Sequence, residues 1–442
     1  RELTARDVIY TIKRFTDINV NTQSWFLLDE VIEGLDEFRL LTQKKGPGKV
    51  DYEQQQVAGL VIKDKYTFTL HLKKKNPLVS YAFAAASLSI IPKEAVDYYG
   101  RAFGRNPVGT GPYSLQEYKK KQTMVLIKNP NYFLKYPSDG NQQDQESGFL
   151  ADQGKQLPLI DEIHVHYIPE AQPQMLKFKK GELSWVALDR DNFNQMAVMS
   201  KDKKISLKGD LDKKYSLYTE PGLSASYLVF NMKDPLLGKN KHLRKAIAYA
   251  FNVEEKIELL SNGRGHKLYT IVPPTIKGSE DDIGKFGYEY DLDKAMDYLK
   301  KAGYPEGKGL DPIEITLSGS STGHKRYFEF VRNSLSKIGI IIKPDYKTWP
   351  SFLKATERGD FQLTASAWAA DYPDPENFYQ LYYGPNKPPG QNSSSFDHAE
   401  YNQLYEEIRF MENSPTRFKK LKRMAAILKE EVPVVFDSTP VV

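Results

Sequence analysis

An open α/β sheet, in a chain of at least two domains, is the fold class the sequence predicts. Three observations carry it. The chain has 442 residues, too many for one compact core. After residues 221–222, apolar runs of strand length alternate with amphipathic stretches of helix length, the pattern of an open α/β sheet. Before that point the chain reads as hairpins and Gly-rich turns. The asymmetry implies separate domains, and a cleft between domains is the usual place for a ligand.

The elements follow in order. Thr4 opens a capping box with Asp7, and Val8, Ile9, Ile12 and Phe15 share one helical face. A loop carrying Trp25 and Phe26 follows, then a helix over 31–41 and a turn at Gly46, Pro47 and Gly48. VIKDKYTFTLHL at 61–72 reads as a hairpin. Residues 77–97 read as a helix, a short apolar strand at 88–91 and a second helix start after Pro92. Residues 106–133 form a Gly-rich turn and a strand pair. Gly109 and Gly111 make only a GxG there, so a tight turn fits better than a phosphate cradle. The polar stretch 135–156 is a surface loop. Strands at 160–167 and 183–186 flank a helix over 172–180 that ends at Gly181.

In the second half, strands are expected at 227–230, 313–317, 340–346, 361–368 and 432–436. Helices are expected at 242–251, 253–260, 291–302, 325–338, 350–358, 398–411 and 414–430. Gly303 closes the third of these helices, and Ser414 with Pro415 opens the last.

Composition excludes several classes. Apolar residues make up 40% and the mean hydropathy is -0.56, and no run approaches the length a membrane helix needs. The 62 basic and 57 acidic residues give +5, with short Lys runs scattered among acids. That describes a solvated surface and no nucleic-acid face. Cysteine is absent, which excludes disulfides, thiolate metal sites and a cysteine nucleophile. HExxH, GxSxG and CxxC are all missing, and GSSTGHK at 319–325 fails the spacing of a phosphate loop. His164 and His166 share one strand face, where a metal pair is conceivable. An exposed pair fits better, because no third ligand is evident. No catalytic residue, metal site or cofactor is expected.

One stretch organises the chain: FQLTASAWAADYPDPENFYQLYYGP at 361–385. A strand runs into the small residues Ser366, Ala367, Ala369 and Ala370, broken only by Trp368. Asp371 stands at its end beside Tyr372, and Pro373 and Pro375 stop any regular element. Such a carboxylate, among rings and next to accessible backbone, suits a ligand that is part cation and part extended chain. A buried aromatic corner with a helix-capping Asp fits the same residues.

With these residues in view, the chain resembles the extracytoplasmic solute-binding proteins of peptide and nickel ABC transporters, bacterial family 5. The likeness covers nearly the whole chain. It rests on LTARDVIYTIKRF (3–15), NPVGTGPYSLQEY (106–118), IKNPNYF (127–133), YLVFNMKDPLLGKNKHLRKAIAYAFN (227–252) and WAADYPDPENF (368–378). The resemblance implies a two-lobed periplasmic-binding-protein-like fold, type II and cluster C-like, with an additional subdomain in lobe one. Its expected parts are the extra subdomain at 1–92, the lobe-one core at 93–222, an α/β lobe two at 223–433 and a return strand to lobe one at 434–442. Hinges are expected near 221–227 and 432–436. The family also leads us to expect further chain at both ends, and it marks the 135–156 loop as a surface insertion.

The resemblance implies function as well. It places Asp371 on a ligand's α-ammonium and offers the backbone around Ala367 and Ala369 to an extended peptide. Trp368 and Trp349 match aromatic wall positions, with Tyr372 beside them. His324 matches a histidine near the ligand's C-terminal end. Trp25 lies about where a lobe-one aromatic closes over the amino terminus, and Asn392 lies in the loop after the motif helix. Ala365 replaces an arginine that some relatives set near the ligand carboxylate. The expected function is the substrate-binding component of an ABC importer, a monomer capturing short peptides and delivering them to membrane permease subunits. The expected place is periplasmic or extracytoplasmic, with a lipid anchor as one form. Alternatives are the same fold holding a nickel chelate, oligosaccharide or opine, and, less favoured, a cleft hydrolase or a ligand sensor.

Overall fold

The structure is a computed structural model and describes residues 1–20, 22, 24–200, 202, 204–220 and 222–441. The chain forms two compact units, residues 1–187 and 188–442.

The first unit starts at the helix Ala5–Thr16, where the backbone N–H of Thr4 donates to Asp7 Oδ2 at 2.8 Å. Ile9, Ile12 and Phe15 are buried, as the helical spacing predicts, together with Leu28, Ile32 and Phe38. The second helix is Leu35–Lys45 rather than 31–41. Gly34 takes φ +74° ahead of it, and Ile32 is held in a bridge to Leu72, so the helix cannot begin earlier. Leu60–Ile62 and Phe68–Leu70 form the expected hairpin. The strand expected at 88–91 does not form. Ala86–Leu88 is a 3-10 turn, and the Ile91 N–H donates to Thr11 Oγ1 at 3.0 Å.

Tyr113–Lys119, Thr123–Lys128 and Glu162–His166 make an antiparallel sheet with a bulge between Leu115 and Glu117. His164 and His166 are exposed on its edge strand, and the His164 Nε2 lies 2.9 Å from Glu162 Oε2. The polar loop is closed at its base by a bridge between Lys135 and Gln156. The Gln156 amide donates to the carbonyls of Tyr132 and Leu134 at 2.6 and 3.0 Å. Residues 183–186 form no strand, having no partner strand among the described residues, and Trp185 is exposed.

The second unit is built on a five-stranded sheet. Its spatial order is Ile342–Tyr346, Ile313–Leu317, Leu363–Ala369, Ser224–Phe230 and Val434–Phe436. The first three run parallel, and Ser224–Phe230 is antiparallel to both of its neighbours. Both faces are covered. Ile247, Ile315, Val331 and Leu335 are among the residues packed on one side, and Phe378, Tyr379, Met424 and Leu428 among those on the other. This burial on both faces explains why the strands read as near-continuous apolar runs.

Arg244 is fully buried beside this sheet. Its guanidinium donates to four carbonyls, those of Val432, Leu237, Gly238 and Glu431, at 2.6–2.9 Å. It thereby closes the C-terminal end of the helix Pro415–Glu431, where Val432 sits at φ +53°.

Two further stretches complete the second unit. Residues 188–222 belong with the second unit. The Arg264 guanidinium donates to the Leu188 carbonyl at 2.9 Å and covers the Phe193 ring at 4.4 Å. This region also carries a helix, Arg190–Met196, and a hairpin, Ala197–Met199 with Ile205–Leu207, that the sequence reading omitted. The terminal stretch is paired within the second unit. Val434–Phe436 pairs with Val229, Leu228 and Tyr227, and Ser438–Pro440 pairs with Gly265–Lys267. Pro221, at the expected first hinge, lies outside the described residues.

Candidate functional site

The site grows from strand Leu363–Ala369. On one side it pairs with the whole of Ser224–Phe230, from Leu363↔Phe230 to Ala369↔Ser224. The Ala370 N–H donates to the Leu223 carbonyl at 2.8 Å. Backbone groups alternate along an antiparallel ladder, so residues 364, 366 and 368 face that partner. Ala365, Ala367 and Ala369 then direct their N–H and C=O to the opposite edge. There Ile313–Leu317 pairs only with Leu363 and Thr364. Beyond Thr364 that edge meets no strand among the described residues. Ala367 and Ala369 are exposed, and their methyl side chains leave the approach clear.

Asp371 follows directly. The Asp371 N–H donates to Asn377 Oδ1 at 3.0 Å, and Asn377 Nδ2 donates to Asp371 Oδ2 at 3.1 Å. Asp371 is exposed as a residue, yet the surrounding chain desolvates its carboxyl and raises its pKa above the ordinary carboxylate value. The Asn377 hydrogen bond pulls the other way. Among the described residues no Lys, Arg or His lies within ion-pair distance of this carboxylate. Trp368 Nε1 donates to the same Asn377 Oδ1 at 2.8 Å.

The loop that follows Asp371 is fastened by buried charge. Asp374 meets Arg417 through both oxygens, with each terminal guanidinium nitrogen 2.7 Å away. Their side chains are 6% and 1% exposed. Tyr372 is buried and donates its hydroxyl to Glu376, which also accepts from Tyr405. Burial raises the pKa of both Glu376 and Tyr372.

The remaining expected residues fall in three groups. Trp368, Asp371 and Tyr372 are brought together at the end of the strand, with Ala367 and Ala369 leading to them. Trp349 and His324 open two helices of the same unit. Trp349 is 59% exposed and stacks on Phe352, with ring centroids 5.7 Å apart. His324 Nδ1 lies 2.8 Å from Ser321 Oγ, and burial lowers its pKa. Trp25 is in the first unit, its indole N–H on Asp29 at 3.1 Å and the Arg39 guanidinium 4.6 Å from its ring.

Asn392 departs from its expected role. It is fully buried; its amide donates to the carbonyls of Tyr383 and Phe396, and its Oδ1 accepts from Ser394. Its side-chain amide is engaged within the loop. Asn377 is the residue the sequence reading passed over. Its only signal was a polar residue six positions after Asp371 in the same aromatic stretch.

Strand Leu363–Ala369 thus leads, along an edge that meets no strand beyond Thr364 among the described residues, to the Asp371 carboxylate. The comparisons with known proteins then place the chain. The profile described as "Bacterial extracellular solute-binding proteins, family 5 Middle" matches residues 1–390, and the chain belongs to this family.

Among curated relatives, heme-binding protein A of Haemophilus influenzae is 26% identical over 84% of this chain and 62% of its own length. The dipeptide-binding protein of Escherichia coli is 26% identical over 98% of this chain and 73% of its own length. Oligopeptide-binding protein OppA of Bacillus subtilis is 24% identical over 98% and 72%. The chain thus spans under two thirds of the first relative's length and under three quarters of the other two.

Among solved structures, a Helicobacter pylori periplasmic binding protein in complex with the peptide STSA has a TM-score of 0.73 at 24% identity, covering 100% of this chain and 77% of that one. Listeria monocytogenes OppA bound to peptide has a TM-score of 0.76 at 21% identity, covering 99% and 78%. These likenesses show the α/β binding-protein fold. No helix among the described residues is long and apolar enough to cross a membrane.

Proposed function

We propose that this chain is the substrate-binding component of an ABC importer and captures short peptides. The observation that carries the reading is the open edge of strand Leu363–Ala369, whose outward amides end at the Asp371 carboxylate. A peptide added there as a strand pairs main chain to main chain, which demands no particular side chains. Its α-ammonium meets Asp371 in a charge-assisted bond. Trp368 and Trp349 supply flat apolar walls beside it, with His324 and Trp25 at more distant positions. The relatives whose names specify dipeptides and oligopeptides support the ligand class.

The capture step is closure of two lobes on the ligand, and the closed form docks on permease subunits. The protein works outside the cytoplasm as a monomer and performs no catalysis. The heme-binding relative supplies the one competing reading, a porphyrin ligand.

Calorimetry with di- to pentapeptides of varied sequence, their N-acetyl derivatives and hemin tests this. Free peptides bind, N-acetyl peptides bind far more weakly, and hemin fails to displace them. Equal affinity for free and acetylated peptides removes Asp371 as the anchor. Hemin outcompeting every peptide overturns the ligand class.

A further inference from the structure

A groove of about 480 Å³ opens on the flank of the second unit, away from the strand edge described above. The end of the outermost strand, Ile342–Tyr346, lines one side, and the helix Trp349–Arg358 lines the other. The helix contributes Ser351, Lys354, Ala355 and Arg358. Their spacing of three, four and seven residues puts them on one helical face. Trp349 falls on the opposite face, where it stacks on Phe352. Strand Ile313–Leu317 also stands between the outermost strand and Leu363–Ala369. The groove is therefore separate from the proposed peptide edge.

Its charges are of two kinds. Lys347 is tied to Asp345 at 2.7 Å, and Asp345 also accepts from Thr316 Oγ1 at 3.1 Å. That pair is self-contained. Lys354 and Arg358 stand one turn apart, and among the described residues neither has an acid within ion-pair distance. Asp360 is the opposing acid, so the lining carries three basic and two acidic residues. Thr348 donates its hydroxyl to Ser351 Oγ at 3.1 Å. The Ser351 proton is then left to donate outward. Unpaired cations on a convex helix face are ordinary solvated charge. Here they border a concavity together with a hydroxyl donor.

Such a set suits a tetrahedral oxyanion. A guanidinium grips two oxygens at once, and an ammonium acts as a point charge on another. A carboxylate has only two oxygens and cannot serve both cations and the hydroxyl as fully. A phosphate has enough for all three.

We propose that this groove is a second binding site, which takes a phosphate group, free or carried on a larger molecule, through Lys354, Arg358 and Ser351. The site does not depend on what the strand edge binds.

The test is a titration of the nitrogen-15-labelled protein with inorganic phosphate at low ionic strength and fixed pH, followed by amide NMR. Shifts are expected across residues 345–360 and not across 365–371. The double variant Lys354→Gln with Arg358→Gln alters two exposed side chains, and circular dichroism checks that it folds. It binds phosphate about tenfold or more weakly, the scale of one bond to a charged group. Lys354→Arg keeps the charge and most of the affinity. Sedimentation with vesicles of phosphatidylglycerol, against vesicles of phosphatidylcholine, separates the sources. Retention on phosphatidylglycerol that the double variant loses assigns the phosphate to a lipid headgroup. Phosphate binding without retention assigns it to a soluble ligand. Shifts centred on 365–371, an affinity unchanged in the double variant, or neither phosphate shifts nor retention overturns the proposal.

Discussion

Replacing Asp374 with asparagine tests what holds the loop after Asp371 in place. The substitution keeps the shape and removes the charge facing Arg417. That guanidinium is 1% exposed and has both of its terminal nitrogens 2.7 Å from Asp374. Its other bonds, to the Ile408 carbonyl and to Asn413 Oδ1 at 3.1 and 2.8 Å, carry no compensating charge. An uncompensated buried charge costs about 3–5 kcal/mol. Asp374 Oδ1 also receives the Glu376 N–H at 2.9 Å, a bond that an asparagine oxygen can keep. The expected loss of stability is therefore about 3–5 kcal/mol from the pair alone.

The assay is urea denaturation followed by fluorescence of the second unit, extended to Arg417→Met and to the double variant. Arg417→Met leaves Asp374 unpaired and costs a similar amount. The double variant removes both charges and recovers most of the loss, because the favourable pair and its desolvation penalty nearly cancel. A single-variant loss below about 1 kcal/mol, or a double variant that simply adds the two losses, refutes the reasoning, since distant or exposed pairs behave that way.

Other outcomes follow from the same geometry. Asp371→Asn lowers affinity for free peptides by about 2–5 kcal/mol in calorimetry; an unchanged affinity would count against the anchor. Ala367→Pro removes an amide that faces the open edge, so it weakens peptide binding by about 0.5–1.5 kcal/mol. It disturbs the sheet far less than Ser366→Pro, which loses a ladder bond, and equal damage from the two would contradict the assigned alternation. Asp7 is held at about 2, against an ordinary 3.8, chiefly by the Arg1 guanidinium. Its stabilisation is complete above about 3.8 and fades as pH falls toward about 2. With Arg1 45% exposed, Asp7→Asn costs about 1–2 kcal/mol at neutral pH, and that gap closes in acid; a gap independent of pH would be contrary. A Cβ at Gly307 would lie 2.0 Å from the Gly339 carbonyl oxygen at φ +74°, so Gly307→Ala lowers the urea midpoint by about 1–3 kcal/mol of stability, and an unmoved midpoint would contradict this.

The second unit was the more legible half of the chain. Ile313–Leu317 is the strand the sequence predicted, and Ser414 and Pro415 open the last helix as expected. Such signals are local, and helices and strands buried on both faces repeat them strongly. What stayed hidden depends on contacts between distant residues. The helix expected at 31–41 lost its first turn to the bridge between Ile32 and Leu72. Arg244 and Arg417 are both buried, because their partners are backbone carbonyls and an acid that no spacing rule connects.

The candidate site was legible as residue types and not as geometry. Trp368, Asp371 and Tyr372 stand out in the sequence by their density. The open edge was not visible, because it exists only where Ile313–Leu317 stops short of its neighbour. Asn392 and Asn377 are alike as letters, and only burial and bonding show that one seals a loop while the other holds the carboxylate.

The order of strands in the second unit also sets when that unit can be completed. Ser224–Phe230 is synthesised first and ends up between two strands that the ribosome reaches much later. The Asn231 amide waits for the Gly359 carbonyl, 128 residues on, and Arg244 waits for Val432, 188 residues on. Residues as far on as Phe436 must emerge before this sheet closes, and pairings so remote in sequence form slowly. The first unit, with its hairpins between adjacent strands, carries no such delay. A unit whose inner strand waits this long for both neighbours keeps its apolar faces open while the intervening residues emerge, the state most exposed to misassembly.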